Sequence, residues 1–458
     1  MTNSSLQSCV VSVSGIRGVV GSGMDPGLML AWGAILGRHL ARGRTVVVGR
    51  DARPSGAVLM QALAAGLRGV GASVIDIGVV PTPTVPHAVR RLRAGAGVQI
   101  SASHNPEPWN ALKIYTRKGR NIDQSTLDRL LAAYQRGVEG LWCSHEGLGG
   151  HSVDDQAISA HIRSVMAAVD VAAIRKRAFR VVIDSVNGSG AMMGPELLQA
   201  LGCQVIPLYD RIADPFPRNP EPTAANVTET GKIVRAVGAD VGFVQDPDAD
   251  RLALIDHRGT YIGEEYTLAL CAAARCAAHG PGAVVATNLS TSRMVEDVVE
   301  RFHGSVVRTP VGEAHILDAL TQHGAVLAGE GNGGVVDPRV VQCRDAQIAM
   351  ALILEYLAGR NGTLMQAVAE IPRYAMHKEK IAWDRQQVAD AIPVLRRSAF
   401  AHGAECDERD GLKLSWSDRW VHVRASGTEP AARIISEAPD AKAARLLARQ
   451  LRQALQHT

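Results

Sequence analysis

Aromatic residues make up only 4% of the chain, too few to build the stacked platforms on which proteins hold single-stranded nucleic acid. Long hydrophobic runs are missing as well. The most apolar stretch, Leu268 to Ala278, is interrupted by Arg275 and is too short to span a bilayer, so no membrane partner is expected. Residues Met1 to Ser5 lack the basic region and apolar core of a secretory signal. The seven cysteines are scattered, without a C-x-x-C pair or a histidine at metal spacing, which fits reduced thiols and a cytoplasmic location. Charge of one sign is not in excess either: the net value is +4, with no dense basic run. Nucleic acid is therefore not an expected partner, whereas local binding of an anion such as phosphate remains open.

What is present is the mix of a well-cored protein, 46% hydrophobic and 21% charged, and 458 residues are too many for one ordinary core. A β-branched run ending in a polar loop recurs from Val46 to Gly56, from Val181 to Gly190 and from Val284 to Ser292, each followed by a helical-looking segment. Continuous apolar strands alternating with helices imply sheets covered on both faces. The expected architecture is three related α/β domains with mixed sheets, at 1–150, 151–257 and 258–372. A smaller C-terminal α+β domain at 373–458 completes it, the four lying around a central cleft.

Four loops carry candidate chemistry. The segment Gly97 to Pro106 runs from a short buried strand into Ser101, Ala102, Ser103, His104 and Asn105. An Asn-Pro turn accounts for such a loop by itself. A hydroxyl nucleophile at Ser103 would need a neighbour to move its proton or balance charge, and His104 or Lys113 offers either. No serine lies in a G-x-S-x-G elbow, which disfavours acyl transfer. The second loop places Asp246, Asp248 and Asp250 at alternate positions after a strand, and hard oxygen ligands so spaced suit magnesium or calcium. An EF-hand is ruled out, because Arg251 stands where its glycine belongs and His257 where its glutamate belongs. Solvated aspartates in a turn are the alternative, but like charges this close repel without a cation. Arg251 is suited to hold a phosphoryl oxygen bidentately.

The third loop, Gly329 to Gly334, matches G-x-G-x-x-G by chance, because an extended segment and Pro338 follow it instead of a helix. Glu330 and Asn332 there offer acceptors for sugar hydroxyls. The fourth, Arg424 to Pro430, combines a guanidinium with Ser426, Gly427 and Thr428, a set suited to a phosphate-binding concavity, with Arg433 just beyond. A purely structural turn is the alternative.

Together the four loops resemble the α-D-phosphohexomutases, which include phosphoglucomutase, phosphomannomutase and phosphoglucosamine mutase. The resemblance runs from Ser14 to Glu429, with further matches at Arg50 to Ser55, Pro81 to Thr84, Asp184 to Gly188 and Pro220 to Pro222. It implies that Ser103 is phosphorylated and that Asp246, Asp248 and Asp250 bind Mg2+, the phosphoserine completing the site. It assigns Glu330 and Asn332 to the sugar, and Arg424, Ser426, Gly427 and Thr428 to the phosphate not being transferred. Arg17 and Lys113 match positions near the reacting oxygens. The implied reaction moves a phosphoryl group between the 6- and 1-positions of a hexose phosphate through a hexose 1,6-bisphosphate. Glucosamine phosphate is the first-choice substrate, mannose and glucose phosphates are the alternatives, and a monomer or homodimer is the expected assembly. Ala111 and Pro247 stand where the family usually has glycine, Ala314 where a basic residue is frequent, and Asn332 and Gly334 where serine and histidine are common. No role of that histidine transfers. A phosphosugar phosphatase and a non-catalytic phosphosugar-binding protein are the rival readings; the second would ordinarily have lost the nucleophile or a metal ligand.

Overall fold

A computed structural model describes residues 4–425 and 431–456. The chain forms two compact units, residues 1–275 with 332–368, and residues 276–331 with 369–458.

In the first unit, the apolar runs form two mixed sheets. The larger has seven strands in the order Val10–Ser12, Gly15–Val19, Trp109–Thr116, Ala96–Ile100, Val46–Arg50, Val74–Val79 and His151–Val153. The last of these strands joins the sheet beyond the expected domain edge at residue 150. Ala96–Ile100 lies at the centre, parallel to Val46–Arg50 and antiparallel to Trp109–Thr116, and every one of its residues is buried. That burial on both faces explains its unbroken apolar character, apart from Gln99, whose side chain donates to the Val80 carbonyl at 3.1 Å. The helix Ser55–Gly69 covers the repeat that begins at Val46.

The smaller sheet runs in the order Leu252–Asp256, Val241–Gln245, Arg180–Asp184 and Gln204–Leu208, with only the first pair antiparallel. Its hairpin from Val241–Gln245 to Leu252–Asp256 carries the aspartate loop. Helix Ala346–Arg360, capped by the Asp345 side chain on Gln347 N at 2.8 Å, is apolar nearly all round and correspondingly buried.

In the second unit, Ser305–Thr309, Val284–Asn288 and Leu327–Glu330 form a parallel arrangement with Val284–Asn288 in the middle. A five-stranded antiparallel sheet is ordered Ala375–Ile381, Ala432–Ala438, Trp420–Ala425, Leu412–Ser415 and Glu405–Asp407. Helix Ala441–Gln456 packs on it through Ala444, Leu447, Ala448, Leu451 and Leu455, a helical stripe of small and branched side chains. The three α/β repeats and the α+β tail thus take the forms their patterns implied. No single described helix is long and apolar enough to cross a membrane.

Candidate active site

The strand Ala96–Ile100 ends at Ser101, and the chain then turns sharply enough to put Ser103 in the left-handed region, at φ 51°. A non-glycine residue pays for that conformation unless its surroundings hold it. Here they do. The Ser103 amide donates to the Ser101 hydroxyl at 3.0 Å. Arg53, itself fully buried, donates to the carbonyls of Ser103 at 2.7 Å, Asn105 at 2.6 Å and Pro106 at 2.7 Å. Asp51 balances its charge at 3.1 Å. One guanidinium therefore holds three carbonyls of the loop, using the fork of donors that lysine lacks.

The aspartate loop is set in the same way. Ala249 at φ 53° closes the turn, and its amide donates to the Asp246 carbonyl at 3.0 Å. From the neighbouring repeat, the Ser189 amide donates to the Pro247 carbonyl at 2.8 Å. Gly188 is required there, because any Cβ at that position would collide with the Pro247 backbone. Pro247, a departure from the family pattern, thus still serves through its carbonyl.

These two loops meet. Ser103 Oγ donates to Asp246 Oδ2 at 2.8 Å and lies 3.2 Å from His104 Nδ1. Lys113 Nζ lies 2.6 Å from Asp248 Oδ2 and 3.6 Å from Asp250 Oδ2. Thr82 Oγ1 donates to Asp248 Oδ2, and Arg344 Nη2 to Asp250 Oδ2 at 2.8 Å. The Arg251 amide donates to Asp246 Oδ1 at 3.2 Å, while its Nε lies 3.8 Å from Asp250 Oδ1. Arg17 Nη1 donates to Asn105 Oδ1 at 2.6 Å, at the rim of the serine loop.

Three buried carboxylates within 4.8 Å of one another set the electrostatics. Burial, together with the charges of Asp248 and Asp250, pushes the Asp246 carboxyl well above its ordinary range. Burial also works against Asp248, but the Lys113 ammonium and hydrogen bonds from Lys113 and Thr82 hold it below the ordinary range. Lys113 is raised in turn, because Asp248 and Asp250 outweigh the effect of its own burial. It stays charged, which suits it to balancing charge and not to accepting a proton. The Arg251 charge, then burial and Arg17, push His104 down to about 2, so its imidazole is neutral and Nδ1 or Nε2 can accept.

The donor set fits a hard divalent cation. Asp248 Oδ1 and Asp250 Oδ1 are buried and have no hydrogen-bond partner among the described residues, a costly state that a metal ion relieves. The cations around them also exceed what three carboxylates need. Burial and Arg251 lower the Arg17 guanidinium, and Arg344 acts in the same direction. Such mutual repulsion favours an added anion.

Arg344, Thr82 and Arg53 were given no role from sequence. Thr82 and Arg53 lay inside motifs matched as whole segments, and Asp51 two residues before Arg53 was the available hint of a buried ion pair. Arg344 had no local signal. Its side chain passes over Gly334, where a Cβ would collide with Arg344 Cδ. The absent histidine and the reach of Arg344 to Asp250 are thus one feature. Gly333, at φ 83°, ties the same loop to the aspartate hairpin through its carbonyl, which accepts from Leu252 N at 3.0 Å. Asn332 Oδ1 accepts from Gly334 N at 3.1 Å.

In the second unit, Glu330 is buried, with Oε1 accepting from Asn288 Nδ2 at 2.9 Å. Gly331 N donates to Thr291 Oγ1 at 3.0 Å. Arg424 and Arg433 lie directly opposite on paired strands. Arg424 Nε donates to Asp410 Oδ2 at 2.8 Å, whereas Arg433 Nε is buried without a partner among the described residues. Like charges in register destabilise a strand pair, so this pair too is suited to an anion. Ser426, Gly427 and Thr428 lie outside the described residues.

Comparison with known proteins agrees along the whole chain. The models of phosphoglucomutase/phosphomannomutase α/β/α domains I, II and III match residues 10–140, 159–259 and 264–374, and the C-terminal domain of that family matches 376–454. The chain is 36% identical over 444 residues to a protein of Thermococcus kodakarensis named "Phosphoglucomutase/phosphomannomutase", covering 94% of this chain and 95% of that one. It is 35% identical over 437 residues to a Methanopyrus kandleri protein named "Probable phosphoglucosamine mutase", covering 95% of each. The crystal structure of a phosphoglucomutase/phosphomannomutase family protein from Burkholderia thailandensis superposes with a TM-score of 0.84 at 26% identity, over 100% of this chain and 98% of that one. With the family's loops in order and its fold repeated throughout, the chain belongs to the phosphoglucomutase/phosphomannomutase family and is a phosphohexomutase, an intramolecular phosphotransferase.

Proposed function

We propose that the protein interconverts hexose 6- and 1-phosphates through phospho-Ser103, with glucosamine phosphate as its preferred substrate. The observation that carries the first part is Ser103 Oγ at 2.8 Å from Asp246 Oδ2, in a loop whose strained serine is braced by Arg53. In this reading the phosphorus–Oγ bond of phospho-Ser103 breaks as a bond forms to the free sugar hydroxyl, and the proton that hydroxyl loses ends on Ser103 Oγ, which is left as a free hydroxyl. The resulting bisphosphate turns over, and its other phosphate returns to Ser103. Phosphoryl transfer depends chiefly on in-line positioning and on spreading charge. Arg17, Arg251, Arg344 and Lys113 supply that charge, with His104 as a neutral acceptor. Asp246, Asp248 and Asp250 would hold Mg2+, which when bound offsets charge on the phosphoryl oxygens. Arg424 and Arg433 bind the phosphate not being transferred, and Glu330 accepts from sugar hydroxyls.

The amino sugar is favoured by Glu330, a buried carboxylate able to face a protonated 2-amino group, and by relatives named for that activity. Asn332 carries both donor and acceptor and need not insist on one epimer, so measurable turnover of a second hexose phosphate is expected. The test is kcat/KM on glucosamine, mannose and glucose phosphates, with inorganic phosphate followed in parallel. Highest efficiency on glucosamine phosphate supports the proposal. Preference for either other sugar overturns the substrate, and phosphate release matching substrate loss would identify a phosphatase.

A further inference from the structure

The first unit has a second region rich in positive charge, and it lies at the other end of the large sheet. Ser103 follows the C-terminal end of Ala96–Ile100. Arg44 and Arg93 instead precede the N-terminal ends of Val46–Arg50 and Ala96–Ile100, and Arg117 and Lys118 follow the antiparallel strand Trp109–Thr116. Five residues of strand separate the two ends, about 16 Å at the ordinary rise.

Two adjoining depressions open there. One, of about 520 Å³, is lined by Arg44, Arg90, Arg93, Arg117 and Lys118 with Ala94 and Gln342. The other, of about 550 Å³, shares Arg90 and adds Arg91, Arg163, Arg339, His87 and Ser164. Neither lining contains an aspartate or a glutamate. Arg91 pairs with Asp154 and Arg339 with Asp337. The remaining cations, Arg44, Arg90, Arg93, Arg117, Lys118 and Arg163, have no carboxylate partner among the described residues. In a chain of net charge +4 this is marked segregation, and it creates a local positive potential.

Helix capping explains only part of it. Arg90 and Arg91 fall in the last turn of Thr84–Arg91, where cations suit the negative end of the helix. Arg44, Arg117, Lys118 and Arg163 lie on other elements. His87 in the wall does not add to this charge: its Nε2 donates to Ser164 Oγ at 2.8 Å, because Ser164 itself donates to the Ala160 carbonyl, and burial, then His161 and the nearby arginines, push the imidazole down to about 3 and leave it neutral. The positive potential of the groove is therefore that of its guanidiniums and Lys118.

We propose that this groove is a second, non-catalytic anion site that binds a polyphosphate chain. Several separate guanidiniums on one concave surface match several linked phosphates better than a single one. Neither lining contains a Phe, Tyr or Trp, so the groove offers linked phosphates far more than it offers a nucleobase. The chain recognised is that of a linear inorganic polyphosphate or of a nucleoside triphosphate, through the phosphates in either case.

The experiment is calorimetric titration of the full-length protein with tripolyphosphate and, separately, with metal-free ATP. Both are run in the presence of saturating hexose bisphosphate to occupy the catalytic site. Wild type and Arg90→Ser/Arg117→Ser are compared; both substitutions are at exposed positions away from the catalytic loops. One bound polyphosphate per chain is expected, weakened at least tenfold in the double variant, with kcat/KM for the hexose phosphate unchanged by the substitutions. Equal affinity for the two probes points to inorganic polyphosphate as sufficient, and tighter ATP binding to a nucleotide source. No binding beyond the catalytic site, equal binding by the variant, or tighter binding of a single-stranded oligonucleotide than of either probe would overturn the proposal.

Discussion

The aspartate loop and the Arg424–Arg433 strand pair both concentrate charge, yet they handle it in opposite ways. Around Asp246, Asp248 and Asp250, the aspartates are met by partners from distant stretches of chain, Lys113, Thr82 and Arg344. Around Arg424 and Arg433, two guanidiniums face each other across a strand pair, and among the described residues Asp410 pairs with Arg424 while Arg433 Nε has no partner. The first arrangement fixes geometry before any ligand arrives, as in-line chemistry requires. The second leaves charge to be completed by the ligand, as a site that receives and releases a phosphate requires. Preorganisation and incompleteness are thus divided between chemistry and binding.

That division can be broken at graded cost. Ser103→Ala removes the group proposed to carry the phosphoryl and should lower kcat by about 10⁴-fold or more, with the fold retained by circular dichroism. Asp248→Asn removes an anionic ligand and leaves Lys113 with less charge to pair, so activity should fall by about 10²–10³-fold with weaker Mg2+ binding by titration. Full activity after exhaustive chelation would contradict the metal role. Arg344→Met keeps the bulk beside Gly334 but frees Asp250 Oδ2, and should weaken Mg2+ by about 10–100-fold. Restoring a histidine at position 334 in that variant tests whether the two side chains exclude each other. Arg433→Ala should raise KM by about 10-fold or more and leave kcat less affected, the loss of a charged hydrogen bond to phosphate. If Arg433→Ala instead cut kcat as deeply as Asp248→Asn, the division between the two regions would fail.

How much of this was legible follows the same line. Strand repeats and the four loops were readable because they are local: alternate aspartates after an apolar run, a serine between a buried strand and an Asn-Pro turn. The bracing was not. Arg344 reaches Asp250 across 94 positions of sequence, and Arg53 reaches the serine loop across about 50. Neither pairing leaves a periodic trace, because it depends on which sheet edges adjoin. Gly334 looked like a lost histidine and is the space through which Arg344 passes. The strand His151–Val153 was missed as part of the large sheet because all three of its residues are exposed, which erases the alternation by which a half-buried strand is recognised.

The central claim is that Ser103 carries the phosphoryl group between the two positions of the sugar. The direct measurement is a pulse-chase: label the enzyme with ³²P-hexose bisphosphate, map the label by peptide mass spectrometry, then add unlabelled hexose 6-phosphate. The account predicts label on Ser103 alone, transferred to sugar bisphosphate within a turnover and absent in Ser103→Ala. Label on another residue, or label released as inorganic phosphate at the turnover rate, would contradict it.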